Sequence, residues 1–116
     1  MKTNPQLIEL IKTLKKASIE RNVKIWKALA KHLESAGKNW CEVNLSRISR
    51  YAKENETLVV PGKVLASGTL SKKITIAAFS FSKNAAQKII TNKGKILSIQ
   101  ELLAHNPTGS NVRIIG

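Results

Sequence analysis

Residues 57–81 read TLVVPGKVLASGTLSKKITIAAFSF. Thr57 to Val60 is a β-branched apolar run, the composition of a strand. Pro61-Gly62 reads as the turn that ends it, because proline brings no N–H to a ladder and glycine enters turns freely. Val64 to Ala66 continues as strand. Lys73 to Phe81 alternates, with Ile74, Ile76 and Ala78 on one face, and forms a second long strand.

Beyond it, Asn84 to Thr91 has helical character and is stopped by Asn92-Lys93-Gly94. Lys95 to Leu97 is a short strand. Ser98 and Glu101 have the spacing of a capping box, opening a helix to about His105 that Asn106-Pro107 ends. Val112, Ile114 and Ile115 form an apolar tail that reads as a strand docked on the core. Before residue 57, Cys41, Val43 and Leu45 alternate with polar residues as a strand does. Ser46 is placed to cap a short helix through Tyr51, with Ile48 and Tyr51 on its packed side. Upstream lie two longer helices, about Pro5 to Glu20 and Val23 to Ser35, the first capped by Thr3 or Asn4 and the second stopped by Gly37. Leu7, Ile8, Leu10, Ile11 and Leu14 form the apolar stripe of the first; Ile25, Trp26, Leu29 and Leu33 face inward on the second, so the two can pair. The interleaving implies an α/β or α+β domain, with α/β the expectation: residues 1–116 form one small domain, helical over 1–36 and mixed over 37–116.

The chain has 116 residues, enough for one core. Hydrophobic residues make up 42%, so a packed interior is affordable, and with five aromatics it must be mostly aliphatic. Sixteen Lys and four Arg face seven Glu and no Asp, a net charge of +13. The pI of about 10.3 is that of a nucleic-acid-binding domain. Residues 1–53 carry 12 basic and four acidic side chains; residues 57–100 carry seven Lys and no acid at all. A domain so charged repels itself unless a polyanion neutralises it. A membrane is the weaker candidate polyanion, since no apolar run is long enough to span one and no signal peptide is evident.

Catalytic and metal chemistry find little footing. His32, His105 and Cys41 lack the paired spacing of a zinc site. Cys41 has no local nucleophile motif, and its solitary state fits a reducing compartment. The seven Glu are scattered, so no acid–base pair is indicated. Neither Pro61-Gly62-Lys63 nor Ala66-Ser67-Gly68-Thr69 is a phosphate-loop motif; each is a turn that can also touch phosphate. The rows Lys24, Lys27, Lys31 and Lys12, Lys15, Lys16 are solvated faces or phosphate-tracking ones, and the scarcity of acids favours the second. Arg47 and Arg50, three apart on one side of a short helix, suit bidentate phosphate recognition and base stacking. Asn106 to Arg113 is a turn before the last strand or a close-approach site for RNA.

Four stretches are familiar together: TNPQLIELIKTLKKAS from Thr3, VNLSRISRYAKENETLVVPGKVLASG from Val43, KKITIAAFSFS from Lys72 and SIQELLAHNPTGSNVRIIG from Ser98. Through them the chain closely resembles the eighteen-e family of large-subunit ribosomal proteins, in its short archaeal form. Ala66 stands where the family more often has glycine. The resemblance implies a structural component of the cytoplasmic ribosome that binds large-subunit ribosomal RNA and neighbouring large-subunit ribosomal proteins. It implies no reaction, cofactor, metal, small-molecule substrate or membrane. For the fold it implies N-terminal helices followed by an irregular strand–strand–helix superhelix, similar to the C-terminal domain of ribosomal protein fifteen. The RNA-facing residues it implies are Asn4, Lys15, Lys16, Arg47, Arg50, Lys63, Asn106, Gly109, Asn111 and Arg113. The competing expectation is a free-standing basic nucleic-acid binder of chromatin type.

Overall fold

Ten elements alternate along the chain: helices α1 (Pro5–Arg21) and α2 (Lys24–Ser35), strand β1 (Cys41–Asn44), α3 (Leu45–Tyr51), β2 (Thr57–Leu65), β3 (Thr75–Phe81), α4 (Lys83–Thr91), β4 (Lys95–Ser98), α5 (Ile99–His105) and β5 (Val112–Ile114). The computed structural model describes residues 5–35 and 41–115. The expected caps at Thr3 or Asn4, the stop at Gly37 and the 36/37 boundary lie outside them.

The strands form one five-stranded sheet in which every ladder is parallel, ordered β1-β2-β3-β4 with β5 also on β2. β5 pairs Thr57–Val59 and β1 pairs Gly62–Leu65, while β3 runs along β2 from Thr57 to Val64. The two short strands therefore follow one another along the same edge of β2. A parallel sheet needs cover on both faces, and the alternation of the strands supplies it. Leu58, Val60, Val64, Ile74, Ile76 and Ala78 meet Leu45 and Ile48 of α3 and Ala85 and Ile89 of α4. Val59 and Ala77 point the other way, onto Leu10 and Leu14 of α1, Trp26, Leu29 and Leu33 of α2, and Ile99 and Leu102 of α5. The result is a single α/β domain of three layers.

The middle of β2 corrects an expectation. Pro61-Gly62 is not a turn: β2 runs through it without a break. The register against β3 shifts between Val60 and Lys63, and Pro61 is paired in no ladder, so its missing N–H costs nothing there. Gly62 faces the backbone of β1, where a Cβ would stand 2.0 Å from the Cys41 carbonyl oxygen. The change of direction comes later, in residues 66–74, which must travel back along the sheet to start a parallel strand without a helix. Polar bonds stitch that connection down. Ser46 N–H donates to the Ser67 carbonyl at 3.0 Å, Lys88 donates to the Ala66 and Gly68 carbonyls, and Asn92 donates to the Lys72 carbonyl at 2.7 Å.

Local signals hold at α4 and α5. Ser98 and Glu101 close a complete capping box on α5. Ser82 caps α4, which begins at Lys83, one residue before the expected Asn84. α4 ends with Lys93 N–H on the Ile90 carbonyl and Gly94 N–H on the Ile89 carbonyl, a Schellman arrangement. The left-handed residue in it is Lys93 (φ 63°), not Gly94; glycine is needed at 94 because a Cβ would approach the Ile74 carbonyl oxygen to 2.5 Å. Ser46 does not cap α3: Asn44 holds the cap position and its side chain makes no capping bond.

Candidate nucleic-acid interface

Because all ladders are parallel, the segments that lead into β2, β3, β4 and β5 gather at one end of the sheet. Lys53 lies in the lead to β2, just past Arg50 in the last turn of α3. Lys72 and Lys73 precede β3, Lys93 precedes β4 and Lys95 opens it, and Arg113 is the second residue of β5. The acids of this end are Glu54 and Glu56. Both are turned to internal work, Glu54 accepting from Lys73 N–H at 3.2 Å and Glu56 from Lys53 N–H at 2.9 Å. Topology thus concentrates the charge that the sequence spreads over distant segments.

The cations here fall into two kinds. Lys72 and Arg113 are structural. Lys72 donates to the Ser49 and Ala52 carbonyls at 3.0 and 2.6 Å, and Arg113 donates to the Tyr51 carbonyl and to Glu56 at 2.9 Å. They occupy the open carbonyls and the negative dipole end of α3. Lys73, Lys93 and Lys95 differ: with Asn55, Ile74, Thr75 and Gly94 they line a shallow pocket of about 200 Å³ that holds no carboxylate. No described protein group engages their ammonium groups, so they are available to an external anion.

On α3, Ser46, Arg47, Arg50 and Tyr51 line a second pocket of about 260 Å³. Both arginines are exposed, as expected. Tyr51 is not on the packed side: it is 54% exposed. The buried stripe is Leu45, Ile48 and Ala52, and the step from 51 to 52 swings the tyrosine off it. Sequence reasoning missed this residue; the buried Ala52 one position later was the available signal.

The other expected residues sit apart. Asn4 lies outside the described residues. Lys15 and Lys16 are on α1 in the other layer, exposed, with Lys15 on Glu34 at 3.0 Å and Lys16 near Glu20 at 3.8 Å. Lys12, Lys24 and Lys27 extend that helical face. Lys63 is half-buried beside Glu42 in the β1–β2 ladder. The loop from Asn106 to Asn111 is a folded brace. Asn106 Nδ2 donates to the Ser110 carbonyl at 2.8 Å, and its Oδ1 accepts from the Thr108 hydroxyl at 3.1 Å. Trp26 Nε1 donates to the Pro107 carbonyl at 2.8 Å. Gly109 (φ 67°) lies so close to α2 that a Cβ would meet Ile25 at 2.6 Å, and Asn111 is left-handed at φ 59°. Both the turn and the RNA-contact readings of this loop stand, but the turn now has a named structural purpose.

Other chemistries gain no support. Burial pushes the Cys41 thiol up despite the opposing charge of Arg47, which is the reverse of an activated nucleophile. Among the described residues no three His, Cys, Asp or Glu side chains come together to hold a metal ion. None of the described helices is long and apolar enough to cross a membrane.

Comparison with known proteins places these features in a family context. Residues 2–116 match the family described as ribosomal protein 60S L18 and 50S L18e. The chain is 53% identical to the large ribosomal subunit protein eL18 of Methanospirillum hungatei over 114 residues, 98% of this chain and 94% of the relative. It is 51% identical to that of Methanoregula boonei over the same shares. Its identity to the protein of Methanococcus maripaludis is 49%, over 99% of this chain and 96% of the relative.

Proposed function

The chain belongs to the family of ribosomal protein 60S L18 and 50S L18e, and from that premise we propose that it is a structural constituent of the large ribosomal subunit, binding and organising large-subunit ribosomal RNA through its basic surfaces. The observation that carries the RNA contact is the gathering of Arg50, Lys53, Lys73, Lys93 and Lys95 where the strands begin, beside acids that are already engaged. Each free cation that meets a phosphate releases condensed counterions, and a rigid domain can hold several RNA segments in one relative position. Arg47, Arg50 and the lysine pocket are the direct phosphate contacts on this reading. Lys15, Lys16 and Lys63 make further contacts from α1 and β2, Asn4 from before α1. Asn106, Gly109, Asn111 and Arg113 shape the surface as well as touching RNA.

The chain has no reaction of its own, in keeping with a family of structural components, and it works in the cytoplasmic ribosome alongside neighbouring large-subunit proteins. The finer fold expectation belongs here too: β2–β3–α4 is the strand–strand–helix unit through which the domain would resemble the C-terminal part of ribosomal protein fifteen.

Filter binding of the purified chain to large-subunit ribosomal RNA, with duplex DNA as competitor, tests the proposal. Saturable binding to the RNA that excess duplex DNA does not displace is the expected result. Equal or tighter binding to DNA would replace this reading with that of a chromatin-type protein.

A further inference from the structure

We propose that Tyr51, flanked by Arg47 and Arg50, is a receptor for one unpaired RNA base, its ring stacking on the base while the guanidinium groups hold the adjoining phosphates. The proposal rests on the RNA-binding reading and deepens it. A single exposed tyrosine is ordinary on a protein surface, so the surroundings of this one decide. Its pocket is built from Ser46, Arg47, Arg50 and Tyr51 and contains no acid. The backbone beneath the ring is held: Arg113 engages the Tyr51 carbonyl, and Lys72 engages those of Ser49 and Ala52. Leu45, Ile48 and Ala52, all buried, anchor the opposite side of the same helix. The backbone that carries the ring needs no further ordering when a ligand stacks on it.

Phosphate tracking alone needs cations and no aromatic group; the lysine pocket at the start of β3 and β4 has that composition. An aromatic ring sharing a pocket with two arginines suits a π-face with negative charge beside it. In RNA that means a looped-out or bulged nucleotide, since paired bases in an A-form helix cannot present a face. For this ring Arg113 is a positioning residue, acting through its bonds to Glu56 and the α3 backbone.

The test uses the full chain and large-subunit ribosomal RNA as the probe, with affinity measured across salt. Tyr51→Ala should weaken binding roughly tenfold or more, the range of one lost base–aromatic stack, and leave the salt slope unchanged. Tyr51→Phe and Tyr51→Trp should bind within about twofold of the unmodified chain, because each keeps a stacking face. Arg50→Gln should lower the salt slope by about 0.7–0.9. Ultraviolet irradiation of the complex, followed by digestion and mass spectrometry, should leave a nucleotide adduct on Tyr51. Near-normal affinity of Tyr51→Ala with no adduct on Tyr51 would overturn the inference while leaving RNA binding intact. In whole large subunits, a cross-link from Tyr51 to a neighbouring protein would overturn it in favour of a peptide contact. Failure of the unmodified chain to bind the RNA would remove the functional reading itself.

Discussion

Lys93 occupies a position that stability alone would give to glycine. It is the left-handed residue of the Schellman ending of α4, with φ at 63°. For an L-residue that conformation costs about 1–2 kcal/mol, whereas glycine adopts it freely but loses about 0.5–1 kcal/mol more backbone entropy on folding. The difference makes Lys93→Gly a stabilising change of about 0.5–1 kcal/mol. Relief of repulsion within the pocket shared with Lys73 and Lys95 acts in the same direction. If the lysine is retained for phosphate, the same change should weaken binding to large-subunit ribosomal RNA and lower the salt slope by about 0.7–0.9. Urea unfolding measures the first effect and filter binding across salt the second. Lys93→Asn is the control, since asparagine tolerates the backbone but carries no charge. It should share the loss of slope and gain stability in the same direction as Lys93→Gly. A less stable Lys93→Gly would refute the strain argument. A stabilised variant with unchanged salt slope would refute the phosphate role.

Further expectations follow from other contacts. Gly62→Ala should destabilise by about 3 kcal/mol or more in urea unfolding, because its Cβ would force β1 and β2 apart at a backbone carbonyl. Trp26→Phe removes the donor to the Pro107 carbonyl and should cost about 1–3 kcal/mol; a neutral result would show that the loop is not braced there. Arg47→Glu with Arg50→Glu should abolish competition with the unmodified chain for incorporation into large subunits, while the circular dichroism of the isolated domain stays unchanged. Glu101 is held below its ordinary value by the bond from the Ser98 backbone N–H and then by the Ser98 side chain. A lowered folded value contributes stability above the unfolded carboxylate pKa that is lost as pH falls through the folded one. Melting temperature should therefore drop on acidification, and Glu101→Gln should blunt that drop; an identical acid profile for the variant would count against the capping contribution.

The local elements were legible because their signals are local. Ser98 and Glu101 sit three apart, Ile74, Ile76 and Ala78 alternate, and each found its expected place. Pro61-Gly62 was misread because the same two residues that make a turn also make a bulge. Only β1, whose Cys41 backbone presses on Gly62, tells the two apart. Parallel pairing was equally hidden, and with it the fact that residues 53, 73 and 95 share one end of the sheet. The internal partners of Arg113 were hidden too, because Tyr51 and Glu56 are 62 and 57 residues away. The arginines of α3 needed no tertiary knowledge, but the exposure of Tyr51 did: a seven-residue helix is too short for periodicity to settle which side its last residue takes.

The most direct test of a place in the large subunit is quantitative. Source-cell lysate is sedimented through sucrose at moderately high salt, and the chain is counted in each fraction by mass spectrometry. Near one copy per large subunit, retained after the salt wash, is the expected result. Recovery mainly in light or DNA-associated fractions would contradict it.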